Sequence, residues 1–389
     1  MKKITNGKFI LPDDSGNFFI RSGISLTFDE KISAIGDDTD AEEIIDAKNF
    51  YVAPGFINIH IHGCAGSDTM DESPDALDRM AEFLPGSGVT TFLPTTMTMP
   101  VPIIKRALKN IREKIFDGTK KISGAKIHGA HLEGPFVSPK FPGAQDPKNI
   151  LPPDFEIFSD FDDVIKIITF APEELADFDF IDRCREKNII CSIGHSAADY
   201  ETAIQAIERG ATNITHLFKA QTGFHHRKPG VVGAALDSHA AVELITDNVH
   251  VHPAAQKIVS RIKSRGEIIL ITDSVRACGL GDGESELGGQ KIFVTGKFAR
   301  LADGNLAGGI ATMNEVTKNF RENSGWEIPE VVETVTKNPA RDLKNYDRTG
   351  SLEVGKFADI TIFDEDFNIA KTFVNGEEKF SRQKSEVSK

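Results

Sequence analysis

Residues 56–63 read FINIHIHG, an apolar run of strand texture that ends on His60 and His62. Two histidines at that spacing point to the same face of an extended chain, where they suit two ligands of one metal ion. Seven further apolar runs follow, at 89–94, 126–132, 164–170, 188–193, 213–216, 242–246 and 267–272, and helical periodicity fills the intervals. Ser73-Pro74 reads as a helix start ahead of Ala76, Met80, Phe83 and Leu84 at helical spacing. Ala203, Ile204 and Ile207 repeat in the same way before Gly210, a residue suited to a helix C-terminus. Apolar strands alternating with amphipathic helices predict parallel strands joined by crossovers, and eight of them favour a closed (β/α)8 TIM barrel over an open doubly wound sheet.

The flanks have a different texture. Short strands and turns fill the start (KITNGKFIL, NFFI, GISLTF, KISAIG, EEIIDA) and return at the end (GSLEVG, ADITIFD, FNIAKTFVNGEE), where Asn375-Gly376 signals a hairpin. The simplest organisation is a barrel over residues 53–344, with 1–52 and 345–380 folding together as one small β-sandwich domain. The polar residues 381–389 are expected to fray. A chain of 389 residues is long enough for this arrangement.

With 58 acidic and 45 basic residues the net charge is -13, which excludes the broad basic footprint of a nucleic-acid or membrane-surface binder. Any anionic ligand must be met locally, and HHRKPG (225–230) is a compact basic loop in this acidic chain. Its Arg227 offers a planar fork for phosphate or carboxylate. Cys64, Cys184, Cys191 and Cys278 form no C-x-x-C pair and read as free thiols of a reducing compartment. The opening MKKITNGKFILP lacks the apolar core of a signal peptide, and no apolar run approaches the length of a membrane span, so a cytoplasmic protein is expected.

The ends of the strand runs carry the chemistry. HLEGPF puts Glu133 at the end of the third run, SIGHS puts His195 at the fifth, NITHLF puts His216 at the sixth and LITDS puts Asp273 at the eighth. Singly, each has an ordinary explanation as a loop carboxylate, a helix cap or a satisfied core histidine. Jointly, six such groups on five strands fall at the face where barrel enzymes build their active sites. Glu133, His195 and His216 supply the three ligands of a catalytic ion such as zinc. Iron, manganese or cobalt would accept the same donors. Such an ion generates a hydroxide nucleophile near neutral pH, Asp273 is free to move the proton, and His60 and His62 are available for a second ion or for polarising substrate.

These motifs, with PGFINIHIHG, THLF and the following Ala220, NVHVHP, LAGG, NPAR and the closing VGKFADI, resemble the amidohydrolase superfamily and, within it, the N-acetylglucosamine-6-phosphate deacetylases. HLEGPF together with GHS and THLF is specific to the deacetylases, whereas the H-x-H start and the ADI ending mark only the superfamily. The resemblance implies a metal-dependent barrel with a small β domain from both chain ends. It implies Glu133, His195 and His216 as primary metal ligands, Asp273 as the general acid-base, and a second ion on His60 and His62. It further implies hydrolysis of the acetamide of a phosphorylated amino sugar to acetate and glucosamine 6-phosphate. Arg227 and His250 match phosphate contacts that reach the neighbouring subunit's site, so a homodimer is implied. Gln145, Lys219, Ala220 and Leu306 stand at substrate-contact positions.

Four residues depart from the pattern. Gln145 replaces a histidine, Lys219 an asparagine, Asn248 a glycine and Gly309 a serine. Gln145 hydrogen-bonds but cannot become a cation, and Lys219 adds a charge near the expected phosphate or carboxylate. They motivate an alternative, an N-acyl hydrolase of the same chemistry on another anionic substrate. A cyclic amidine deaminase and a non-catalytic scaffold are the other classes compatible with a barrel.

Overall fold

The computed structural model describes residues 1–36, 40–116 and 123–382. Each of the eight runs contributes a barrel strand: β1 (Phe56–Ile61), β2 (Val89–Pro94), β3 (Ala130–Glu133), β4 (Ile165–Phe170), β5 (Ile190–Ile193), β6 (Asn213–Ile214), β7 (Ala241–Ile245) and β8 (Ile268–Ile271). β1 and β2 pair in parallel, and so do all successive pairs from β3 to β8. Two bridges close the ring, Thr95 to His131 between β2 and β3 and Ile61 to Ser274 between β1 and β8. β1 and β2 are buried along their whole length, as strands covered on both sides by neighbours must be. Burial of one large aliphatic side chain contributes about 1.5–3 kcal/mol, so the repeated Ile, Leu and Val of these strands dominate the barrel's stability.

Polar side chains inside the barrel satisfy one another. The His131 Nδ1–H donates to the Ile59 carbonyl (3.0 Å) and its Nε2 accepts from Thr169 Oγ1 (2.7 Å). Thr169 accepts in turn from Thr215 (2.8 Å), and Thr215 from Ser192 (2.6 Å), so with Ile59 five strands are cross-linked beneath the barrel mouth.

The helix after Ser73 runs Asp75–Phe83; Pro74 takes the capping position expected of Ser73, whose hydroxyl still accepts the Asp75 N–H at 3.3 Å. Both chain ends contribute to a six-stranded sheet ordered Glu377–Ser381, Ile369–Val374, Ile360–Phe363, Tyr51–Pro54, Lys8–Pro12 and Phe18–Arg21. A four-stranded sheet of Ile32–Ile35, Leu26–Phe28, Lys2–Thr5 and Glu43–Asp46 accompanies it. Ile4, Phe9, Phe28, Val52, Ile360 and Phe373 share one core, with the Phe28 and Phe373 rings edge to face at 5.4 Å. Asn375 and Gly376, at φ 47° and 75°, make the tight turn between the last two strands. Of the tail expected at 381–389, Ser381 closes the last strand, and 383–389 lie outside the described residues.

A three-stranded antiparallel sheet, Gly283–Leu287, Gln290–Thr295 and Phe298–Leu301, is inserted after β8 and was not expected from the sequence. Its signal in the sequence was the Gly288-Gly289 pair, which turns with φ 56° and 78°. Gln290 Nε2 donates to the Ala144 carbonyl (2.8 Å), which fastens this hairpin to the loop beside Gln145.

Candidate metal centre

His60, His62, Glu133, His195, His216 and Asp273 converge at the C-terminal mouth of the barrel, and none is more than 3% exposed. His60 and Glu133 stand on β1 and β3, and the others lie just past the ends of β1, β5, β6 and β8. His195, His216 and Asp273 have left-handed backbones (φ 48°, 29° and 46°), a costly conformation for such residues that turns each strand end sharply at the mouth. Asp273 N–H donates to the His60 carbonyl (3.0 Å), locking β8 to β1 at this level. Gly143, at φ 58°, crosses over His195, where a Cβ would sit 3.0 Å from Cε1, so backbone conformation and close approach both favour glycine.

Glu133 is the hub. Its Oε1 lies 2.8 Å from His216 Nε2 and 3.2 Å from His195 Nε2, and the two nitrogens are 3.1 Å apart. Its Oε2 lies 3.2 Å from His62 Nε2. His62 Nε2 is also 3.2 Å from Asp273 Oδ1, while His60 Nε2 is 3.5 Å from both Glu133 Oε1 and Asp273 Oδ1.

The far side of each ring decides what these contacts mean. A carbonyl oxygen can only accept, so His195 Nδ1–H donates to Phe141 (3.0 Å) and His62 Nδ1–H to Thr95 (3.2 Å). His60 Nδ1 meets the Glu243 carboxylate at 2.9 Å. In their neutral forms these three imidazoles present Nε2 lone pairs to the lone pairs of two buried carboxylates. Such an arrangement calls for cations between them, whether a proton on His62 or metal ions, and His60 Nε2 has no hydrogen-bond partner. Nitrogen donors with a carboxylate suit zinc and its neighbours, so the residues fit a divalent metal.

The electrostatics agree. Burial would raise Glu133 and Asp273, but histidines around Glu133, and Lys219 with the histidines around Asp273, hold both well below the usual carboxylate range. Burial pushes His60 and His216 down to about 4, while Asp273 and Glu133 hold His62 up at about 10 against the same penalty. Burial pushes Glu243 up to about 8; a cation held by the neighbouring carboxylates would act in the opposite direction.

The residues expected to touch substrate divide into two groups. Gln145 and Lys219 belong to the centre itself. Gln145 Nε2 donates to Glu133 Oε2 (2.8 Å) while its Oε1 accepts the Thr98 N–H (2.7 Å). Lys219 Nζ lies 2.5 Å from Asp273 Oδ2, so its charge is directed at Asp273 and not at the phosphate or carboxylate near which the sequence placed it. Arg227 stands apart on the exposed basic loop beside His226 (2.8 Å), lining a groove of about 560 Å³ that runs to Phe141. His250 Nδ1–H donates to Asp247 Oδ2 (2.7 Å), leaving its buried Nε2 without a partner. Ala220 is half-buried, with φ 49°, beside Gly143. Leu306 is half-buried on the segment that returns to Asp273 through a Gly309 N–H bond of 2.7 Å.

Two departures acquire local reasons. A Cβ at Gly309 would lie 2.5 Å from the Thr272 carbonyl, and Asn248 occupies a left-handed position (φ 64°) that asparagine tolerates better than most residues. The residue missed entirely is Glu243, fully buried on β7. Its signal was a lone carboxylate inside the apolar run AVELI.

Residues 51–379 match the Amidohydrolase family. The chain is 42% identical over 369 residues to the N-acetylglucosamine-6-phosphate deacetylase of Bacillus subtilis, spanning 92% of this chain and 93% of that protein. It is 35% identical over 334 residues to an N-acetylgalactosamine-6-phosphate deacetylase of Escherichia coli O157:H7, spanning 84% of this chain and 87% of that one. The crystal structure of the Thermotoga maritima N-acetylglucosamine-6-phosphate deacetylase superposes with a TM-score of 0.87 at 33% identity, covering 98% of this chain and all of the other.

Proposed function

The chain belongs to the amidohydrolase family, and from that premise we propose that it removes the acetyl group of N-acetylglucosamine 6-phosphate by hydrolysis, releasing acetate and glucosamine 6-phosphate. The observation that carries this reading is the convergence of four imidazole Nε2 atoms and two carboxylates at the mouth of a barrel similar over most of its length to deacetylases.

Glu133, His195 and His216 would hold one divalent ion, zinc foremost, and His60, His62 and Glu133 a second, two donor sets that the fold already gathers. When bound, such ions supply Lewis acidity and make water a nucleophile near neutral pH. Asp273 accepts the proton of the attacking water and returns it to the departing amine nitrogen. Lys219 holds Oδ2 of Asp273, which keeps Oδ1 directed into the cluster. Gln145 fixes Glu133 by one end of its amide and the backbone at Thr98 by the other. Ala220 and Leu306 line the sugar, and Arg227 and His250 meet its phosphate.

A homodimer completes the site in this proposal, each subunit lending Arg227 and His250 to the other. Supporting it, an apolar groove of about 700 Å³ beside the basic loop is lined by Phe218, Val232 and Leu236 and by Phe224, Ile258 and Ile262, which are 64%, 52% and 52% exposed. Exposed aliphatic and aromatic groups gathered in one patch mark an interaction surface, and in this proposal a second copy covers it. We assign residues 53–344 to the catalytic unit and 1–52 with 345–380 to the small β unit, a division supported by the separate core that the two chain ends share. Four free, buried cysteines suit a cytoplasmic location, and no helix among the described residues is long and apolar enough to cross a membrane.

A second reading keeps the chemistry and changes the substrate. Lys219 and Gln145 bind into the cluster by direct contacts, so the groups left to select substrate differ from those the family pattern supplies. Acetate release measured over a panel of acetylated sugar phosphates, sugars and amino acids tests both. N-acetylglucosamine 6-phosphate should be the best substrate of the metal-loaded protein. Release from another acetylated anion and none from this one would overturn the first reading in favour of the second.

A further inference from the structure

We propose that Glu243 is a positioning residue for the second-ion half of the centre, acting through the far edge of His60; the inference rests on the two-ion reading above. Glu243 stands on β7, fully buried, one layer beneath the mouth. Its Oε2 meets His60 Nδ1 at 2.9 Å and also accepts the backbone N–H of His216 at 3.3 Å. One carboxylate oxygen thus touches a residue of each half of the cluster. Its Oε1 has no hydrogen-bond partner and lies 4.0 Å from His131 Nδ1, whose proton is already committed to the Ile59 carbonyl.

A carboxylate buried in an otherwise apolar strand is costly to the fold, and one neutral imidazole with one backbone N–H offsets that cost only in part. What it accomplishes is the choice of tautomer. A neutral imidazole carries one proton, and an acceptor at Nδ1 keeps it there, leaving Nε2 with a lone pair toward Glu133 and Asp273. Without that acceptor the proton is free to move to Nε2, where it blocks the ligand position, and the ring loses the contact that sets its plane. His62 and His195 are oriented in the same way by backbone carbonyls, which no side-chain substitution removes. His60 is the one whose orientation depends on a side chain.

The test compares zinc binding by full-length wild type, Glu243→Gln and Glu243→Leu, each stripped with a chelator and titrated with zinc against a chromophoric competitor. Elemental analysis gives the stoichiometry, and thermal melts verify folding. Wild type should bind two ions per chain. Glu243→Leu should retain the tighter ion and lose about 100-fold in affinity for the other, and Glu243→Gln, which keeps an acceptor, about 10-fold. The glutamine variant preserves shape and decides the question if the leucine variant fails to fold. Two ions bound with wild-type affinity by a folded Glu243→Gln protein would overturn the inference and leave the two-ion reading standing. A single ion on wild type, unchanged by His60→Asn, would remove that reading and the inference with it.

Discussion

Asp273 is held from two sides, by Lys219 on one oxygen and by His62 on the other, in a left-handed backbone position fixed by the His60 carbonyl. Its Oδ1 lies 3.2 Å from His62 Nε2 and 3.5 Å from His60 Nε2, yet Asp273 belongs to neither donor set gathered on Glu133, which suits a group that moves a proton. Asp273→Asn should therefore retain its metal content while kcat falls at least about 100-fold, the usual scale for an acid-base group. Steady-state kinetics and elemental analysis on the same sample check this, and wild-type turnover would remove Asp273 from the mechanism. At this scale the sequence was legible wherever chemistry sits at a strand end beside a turn: HIH, HLEGPF, GHS, THLF and ITDS. The partner of Lys219, and Glu243 itself, were not. Lys219 finds Asp273 only because strands six and eight both end at the mouth, and Glu243 was hidden by the apolar run around it.

Among the loops that shape the mouth, the one after β7 depends on Asp247. Its Oδ1 accepts the N–H groups of Val249 and His250 at 2.9 and 2.8 Å, and its Oδ2 accepts the His250 ring proton. Burial would raise this carboxyl, but the His250 bonds hold it below its ordinary value of 3.8. A depressed folded value means that the stabilisation is complete above 3.8 and is lost as pH falls through the lower folded value. Asp247→Asn should lower stability at pH 7 by about 1–3 kcal/mol, and the difference from wild type should shrink on acidification below the ordinary value. Urea unfolding across that range checks it; a penalty independent of pH would show that the charge is not what stabilises the loop. The inserted hairpin belongs to the same scale. Its half-exposed strands lack the long apolar runs of the barrel, so its Gly-Gly turn was the only clear signal.

At the scale of the molecule, the basic loop and the apolar groove lie side by side on the surface, and the proposed dimer would link assembly to phosphate recognition. Charging the patch by the pair Phe224→Asp and Ile258→Asp should give monomers in analytical ultracentrifugation. It should also raise KM for the phosphorylated substrate at least about 10-fold with metal content intact, because the phosphate loses its charge-assisted contacts. Monomeric wild type with full activity would defeat the dimer proposal. The sequence by itself determined the barrel, the pairing of the two chain ends and the six chemical groups at the mouth. Each of these follows from local periodicity, or from residue types that have few uses at the end of a strand. Only the tertiary structure decided which atom of each group faces which partner: that Lys219 and Gln145 bind into the centre, and that Glu243 meets His60 Nδ1. Those contacts join residues 12, 54 and 183 positions apart, and the geometry that brings them together is fixed by loop path, barrel closure and strand register, which no local pattern encodes.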